Sequence, residues 1–191
     1  MNKRCKIYQA MENKLLIQRM TRNAVMLALL CVVGMFSIPL GDNIKVSLQL
    51  LMVFIIGLTS VSFLDTLVIT SLYLLIGLFV PVYAGFSANV SPTFGFVISF
   101  VVLSFPLHFL NKLKIKNQYL RMAIACLVSL IVCYAIGSLF LALYLKLDIQ
   151  KALLISVVPY IPFDLVKIVL AVLVVTLLPK RNQSGHEVEN S

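Results

Sequence analysis

Long apolar stretches alternate with short polar or proline-containing segments along this chain. Each stretch has about 20 residues, the length of α-helix needed to cross the hydrocarbon core of a bilayer. The pattern therefore predicts an all-α integral membrane protein. We expect six transmembrane helices at residues 23–41, 46–62, 65–84, 93–111, 119–145 and 152–178.

The predicted helices form one membrane domain, residues 23–178, between two polar ends. Residues 1–22 are a basic N-terminal segment, and residues 179–191 are a polar tail. The first apolar run is too long for a signal peptide and lacks a small-residue cleavage site. We therefore expect the N-terminus not to be a cleaved signal peptide.

Composition supports the membrane class independently of helix boundaries. Of 191 residues, 61% are hydrophobic and 12% are charged. Soluble domains have about 45–50% apolar and about 25% charged residues. The difference excludes an ordinary soluble domain.

The basic residues are distributed unevenly across the predicted topology. Twelve of the 16 Lys and Arg residues fall on the side that carries both termini, and three fall on the other side. This positive-inside bias places both termini in the cytoplasm and the helices in the cell membrane. The net charge of +9 is therefore interpreted as a topology signal and not as a nucleic-acid-binding surface.

Asp164 and Lys167 are unusual because they lie well inside the sixth predicted span. Three residues apart, they share one helix face. A charged side chain at the bilayer centre costs roughly 2.5–3.5 kcal/mol. Two explanations stay open: Asp164 caps the helix and Lys167 neutralises it, or Lys167 pairs with a ligand carboxylate while Asp164 accepts ligand N–H groups.

Further polar candidates lie in the third loop and at the start of the second helix. Gly85 allows close backbone approach, while Ser87 and Asn89 offer hydrogen-bonding groups. Tyr83 belongs to a set of aromatic residues at the same rim, and Gln49 is an amide in an apolar run. The predicted topology places this loop and the start of the sixth helix on the external face.

Two small residues four apart, Ala24 and Ala28, give the first helix a flat face. Such a face lets another helix approach closely. From spacing alone, packing within the protein is favoured over a subunit interface.

Several motifs are absent from the sequence. It has no GxxxxGK[ST] loop, no HExxH, no GxSxG and no Cys or His spacing typical of a metal site. We therefore expect no enzyme activity, no cofactor and no metal. The scarcity of charges inside the spans also argues against a self-sufficient ion-coupled carrier and favours a binding subunit energised by other proteins.

Three separated segments resemble the BioY family, the biotin-specific S components of energy-coupling factor (ECF) transporters. Val46-Ser-Leu-Gln-Leu-Leu-Met is similar to that family's second helix. The stretches at residues 77–87 and 91–100 resemble its glycine-rich loop and Gly-Pro-Thr-Gly-Gly-Tyr element. Tyr160-Ile-Pro-Phe-Asp-Leu-Val-Lys resembles its Ile-Pro-Gly-Asp-Leu-Ile-Lys signature, the most specific of the three.

The resemblance implies six helices, a vitamin bound from the external side, and attachment through a membrane T subunit to two cytoplasmic ATPases. It implies that Asp164 and Lys167 hold polar groups of biotin, with Asn89, Ser87 and Gln49 completing the contacts. It also implies that Ala24 and Ala28 pack against the T subunit.

The sequence departs from the family pattern at two glycine positions. Phe94 and Phe163 stand where the family has glycine. Added bulk near the site leaves open a related carboxylated ligand, such as lipoate or a biotin precursor. A solitary secondary biotin carrier is a further alternative.

Overall fold

The computed structural model is a helical protein with one short hairpin, and it describes residues 3–39, 45–86, 88 and 90–178. The elements of these residues are α1 (Lys3–Met35), β1 (Ser37–Pro39), β2 (Lys45–Ser47), α2 (Gln49–Thr59), α3 (Phe63–Phe79), α4 (Phe94–Asn111), α5 (Gln118–Leu145), α6 (Ile149–Ser156) and α7 (Ile161–Leu177).

The all-α class is therefore confirmed apart from the hairpin, but the prediction of six helices is not. The sixth predicted span divides into α6 and α7, which meet at a bend of 54°. Pro159 lies within the break, and Pro162 lies in the first turn of α7. Proline is accepted there because the N–H groups of the first turn have no helical partner. The break places Asp164 in the first turn of a new helix.

The N-terminal part of the chain also differs from its predicted boundaries. Helix α1 begins at Lys3 and so runs through the expected boundary at residue 22. It ends at Met35 instead of residue 41, because Ser37–Pro39 pairs antiparallel with Lys45–Ser47.

Three of the described helices are long and apolar enough to cross a membrane: α1 from Asn13, α4 and α5. The bent α6–α7 pair makes up to four, while α2 and α3 are shorter apolar helices. The 11 residues of α2 span about 16 Å, well short of the roughly 30 Å hydrocarbon core. The side of the membrane on which the termini lie stays a prediction.

Helix α2 is short and lies at the centre of the bundle. It packs against α7, α4, α1 and α3. Its residues Val53, Phe54 and Ile56 are completely buried. Gly57 lies directly against the Leu107 side chain of α4, leaving no room for a Cβ atom. The other helices are arranged around this apolar centre.

Helices α4 and α5 form an extensive contact through two reciprocal pairs. The Phe140 ring of α5 covers Gly95 of α4, and the Phe96 ring of α4 covers Gly137 of α5. A Cβ atom at either glycine would collide with the ring. This close approach fixes the part of α5 that faces α7.

Helix α1 is fastened to α3 by polar groups around Asp65. An Arg22 guanidinium nitrogen lies 3.1 Å from Asp65 Oδ2, and the Asn23 amide donates to Oδ1 at 2.8 Å. The Asp65 carboxylate also accepts the Ser62 backbone N–H at 3.3 Å, which completes a capping box at the start of α3. We call Arg22, Asn23 and Asp65 the α1–α3 clamp.

Candidate functional site

Asp164 and Lys167 form a buried ion pair on α7. The Lys167 Nζ atom donates to Asp164 Oδ1 at 2.6 Å, and the residues are 4% and 6% exposed. The prediction that they share a helix face is therefore confirmed. Asp164 also lies in the first turn of α7, where the partial positive charge of the helix end favours a carboxylate.

A residue that the sequence did not single out completes this site. The Tyr134 hydroxyl on α5 donates to Asp164 Oδ2 at 2.6 Å. A phenol in an apolar helix requires a hydrogen-bond partner, but the sequence does not say which residue provides it. We call Tyr134, Asp164 and Lys167 the carboxylate triad.

Within the carboxylate triad, each oxygen of Asp164 accepts one side-chain hydrogen bond, from Lys167 and from Tyr134. Charge-assisted hydrogen bonds of this kind are short and strong. The site therefore offers one negative group, one positive group and one hydroxyl within a buried space. Such a set can hold a ligand that has both N–H donors and an anionic or carbonyl acceptor.

Gln49 belongs to a second polar cluster, between α1, α2 and α3. Its amide donates to the Tyr73 hydroxyl, which in turn donates to the Val82 carbonyl at 2.9 Å. Gly34 of α1 lies so close that a Cβ there would be 2.5 Å from the Tyr73 oxygen. Gln49 thus helps to fix the start of the loop after α3.

The same loop carries the other predicted binding residues. Tyr83 is buried, donates to the Leu74 carbonyl at 2.7 Å and has its ring against Gly77. Gly85 is exposed at a φ of +74°, a backbone conformation that favours glycine, and its N–H donates to the Met35 carbonyl at 3.1 Å. Ser87 and Asn89 lie outside the described residues.

A series of aromatic rings extends from this second cluster towards α5. The Phe94 ring lies 6.1 Å from Tyr83 and 6.0 Å from Phe140, measured between centroids. Among the described residues, no hydrogen bond joins the Gln49 cluster to the carboxylate triad. The structure therefore places the predicted residues in two separate groups. One contains Asp164 and Lys167, and the other contains Gln49 and the loop that carries Tyr83.

The two phenylalanines at family glycine positions have different surroundings. Phe94 is buried in the aromatic series, whereas Phe163 is 37% exposed. Bulk at residue 94 is thus absorbed by packing, and the Phe163 side chain is far less enclosed than the neighbouring Asp164.

Ala24 and Ala28 are exposed on α1. The helix packs inward through other positions, including the completely buried Leu30 and the closely covered Gly34. Within this chain the flat alanine face is therefore not covered, which differs from the internal packing that the spacing alone favoured.

Comparisons with known proteins place these features in a family. A model described as the BioY family matches residues 6–184. A protein from Thermotoga maritima named biotin transporter BioY is 31% identical over 86% of this chain and 97% of its own length. A protein from Pyrococcus horikoshii named probable biotin transporter BioY is 32% identical over 79% of this chain and 90% of its own length.

A solved structure shows the same fold. The crystal structure of an S-component for biotin from an ECF-type ABC transporter aligns with a TM-score of 0.78. The two chains are 24% identical, and the match covers 88% of this chain and 94% of the other. The family model and the similar relatives confirm the resemblance that the sequence showed. The chain belongs to the BioY family.

Proposed function

We propose that this chain is the substrate-binding S component of an ECF-type transporter, located in the cell membrane. It captures biotin from the external side for ATP-driven uptake. Two relatives similar along most of the chain are named as biotin transporters, which supports the substrate. The similar fold of an S component supports the type of subunit.

The observation that carries this proposal is the buried carboxylate triad. Biotin has a ureido ring with two N–H donors and a carbonyl, and a carboxylate at the end of its side chain. In the proposed complex, Asp164 accepts the ureido N–H groups, and Lys167 pairs with the carboxylate or the ureido carbonyl. Tyr134 keeps the Asp164 carboxylate in place.

The ion pair also bears on how a ligand could be accommodated at this site. Removing one partner of a buried ion pair is destabilising by about 3–5 kcal/mol, because the remaining charge is left uncompensated. Asp164 and Lys167 lie 2.6 Å apart and neutralise each other. A ligand that brings both donors and an acceptor can replace that contact without leaving either charge unpaired.

The remaining contacts are proposed to come from the loop after α3. Gln49, at the start of α2, and Tyr83, in that loop, are held by hydrogen bonds to Tyr73 and Leu74. In the complex Gly85 allows close backbone approach, and Ser87 and Asn89 supply polar groups.

We further propose that Ala24 and Ala28 face the membrane T subunit, which connects this chain to two cytoplasmic ATPase subunits. Both alanines are exposed. Small exposed residues at this spacing allow a partner helix to approach closely. The chain itself is proposed to bind and carry, without catalysing a reaction.

Ligand binding by the detergent-solubilised chain tests the substrate. We expect biotin to copurify, and we expect biotin to displace labelled biotin more effectively than dethiobiotin or lipoate. If lipoate or a biotin precursor binds more tightly than biotin, that molecule is the substrate in place of biotin. If none of these molecules binds, the proposed function is wrong.

Cellular uptake tests the partnership. We expect uptake to require the energising module, and Ala24→Trp with Ala28→Trp to abolish uptake while biotin affinity is retained. Leu29→Trp is the control, because Leu29 is an exposed α1 residue (44%) outside the alanine pair. Uptake without the module that depends on an ion gradient would instead establish a solitary carrier.

A further inference from the structure

An open apolar groove lies between α5 and α7, apart from the carboxylate triad. Its volume is about 440 Å³. The walls include Leu120 and Ala123 at the start of α5 and Val169, Val172 and Leu173 along α7. Small-molecule pockets have volumes of about 300–1,000 Å³, so the groove can take a hydrocarbon chain.

The groove opens outward, away from the helical bundle. Leu120, Val169 and Leu173 are 52%, 66% and 53% exposed. Since α5 is long and apolar enough to cross a membrane, these side chains face acyl chains when the protein is in a bilayer. The groove is therefore a concave part of the lipid-facing surface.

One end of the groove is polar and strongly basic. Asn117, Tyr119 and Thr176 line that end. The loop leading to Asn117 carries three exposed lysines, Lys112, Lys114 and Lys116. The sequence has no acidic residue between Asp65 and Asp148, so nothing in this segment of the chain neutralises them.

Arg121 adds to this charge from the first turn of α5. Its Nε atom is buried and has no hydrogen-bond partner among the described residues. Since that atom is buried and Arg121 does not line the groove, the residue contributes positive charge to this end of α5 and not a direct contact with a ligand.

We propose that this groove binds one anionic phospholipid. An acyl chain lies along Ala123, Val172 and Leu173, and the phosphate lies at the basic end near Lys116. A groove that is apolar along its length and basic at one end has the same polarity as such a lipid. Basic clusters beside a membrane span favour anionic headgroups through electrostatic attraction.

The absence of tryptophan from the chain allows a direct test in vesicles. Leu173→Trp places a single fluorophore in the groove, and brominated acyl chains quench it on contact. We expect brominated phosphatidylglycerol to reach half-maximal quenching at about fivefold lower mole fraction than brominated phosphatidylcholine. Ile131→Trp, at an α5 residue 66% exposed outside the groove, should be quenched equally by both.

Charge variants in the Leu173→Trp background identify the headgroup contact. We expect Lys114→Gln with Lys116→Gln to remove the preference for phosphatidylglycerol. Lys146→Gln with Lys151→Gln should retain it, because those exposed lysines lie at the other end of α5 and on α6. Val169→Trp is a second groove reporter if Leu173→Trp lowers the thermal unfolding temperature.

Equal quenching of the groove tryptophan by the two lipids would overturn the proposal. So would an identical effect of the two lysine pairs. A groove tryptophan that neither lipid quenches would also overturn it and would indicate that another protein covers the groove.

Discussion

Two aspartates of the described residues each form an ion pair, and the two pairs connect the fold in different ways. Asp65 connects elements far apart in sequence, because Arg22 and Asn23 reach it from α1. Asp164 pairs with Lys167 only three residues away on the same helix. The first arrangement joins two helices, while the ion pair of the second joins none.

The two ion pairs also differ in burial, and the pair that joins no helices is the more buried one. The side chains of Arg22 and Asp65 are 22% and 13% exposed, whereas those of Lys167 and Asp164 are 7% and 6% exposed. A buried ion pair within one helix is weak evidence for stability, and Asp164 reaches another helix only through its hydrogen bond from Tyr134 among the described contacts. This difference favours a ligand role for Asp164 and an architectural role for Asp65.

The largest expected effect is that of Lys167→Met on biotin binding. The variant removes the proposed partner of the ligand carboxylate and leaves Asp164 without its cation. We expect Kd for biotin to rise by at least about 100-fold, equivalent to about 2.7 kcal/mol. Isothermal titration calorimetry measures this, with Lys151→Met, at an exposed lysine of α6, as control.

A double variant separates lost stability from lost recognition. Asp164→Asn with Lys167→Met leaves no unpaired charge, so we expect it to unfold near the wild-type temperature while its Kd for biotin stays at least about 100-fold above that of the wild type. Wild-type affinity in either variant would show that the pair does not contact the ligand. Biotin amide tests which polar end of the ligand Lys167 contacts. If Lys167 holds the carboxylate, Lys167→Met should lower the affinity for biotin far more than the affinity for biotin amide.

The next largest effect concerns the α1–α3 clamp. Asp65→Ala removes hydrogen bonds from Arg22 and Asn23 and the cap of α3. Hydrogen bonds to charged groups contribute about 1.5–3 kcal/mol, and partial exposure reduces this, so we expect a loss of about 2 kcal/mol in unfolding free energy. Reversible unfolding in mixed micelles measures it.

For the clamp to be architectural, biotin Kd in Asp65→Ala must stay within about twofold of wild type, a difference below 0.5 kcal/mol. Asp148→Ala is the matched control, because Asp148 is an exposed aspartate whose side chain makes no capping hydrogen bond. A large loss of affinity in Asp65→Ala with unchanged stability would reverse the distinction between the two aspartates.

The sequence was sufficient to predict the pairing of Asp164 and Lys167, because a spacing of three residues on a helix fixes their relative position. It did not predict the division of the sixth span at Pro159 and Pro162. The apolar residues run through that break, and proline is tolerated in the first turn of a helix. Nor did apolar content reveal that β1 and β2 form between the first two helices.

The role of Gln49 depended on tertiary packing and was not accessible from sequence. An amide in an apolar run requires a partner, but only the fold brings Tyr73, 24 positions later, to it. Tyr134 was missed for the same reason, since 30 positions separate it from Asp164. Residue type predicts that such groups need partners, and packing decides which partners they find.

The smallest expected effect, that of Tyr134→Phe, tests whether the carboxylate triad acts as a unit. The variant keeps the ring and removes the hydroxyl that donates to Asp164 Oδ2 at 2.6 Å. We expect Kd for biotin to rise about tenfold, or about 1.4 kcal/mol, because the carboxylate loses one of the two side-chain donors that orient it. Tyr144→Phe, at a half-exposed tyrosine of the same helix, should bind biotin as the wild type does.

In the Asp164→Asn, Lys167→Met background, Tyr134→Phe should have no further effect on biotin binding, because its contribution acts through Asp164. A tenfold loss that persisted in that background would mean that Tyr134 contacts the ligand directly and that the comparison between the two aspartates omits a binding residue.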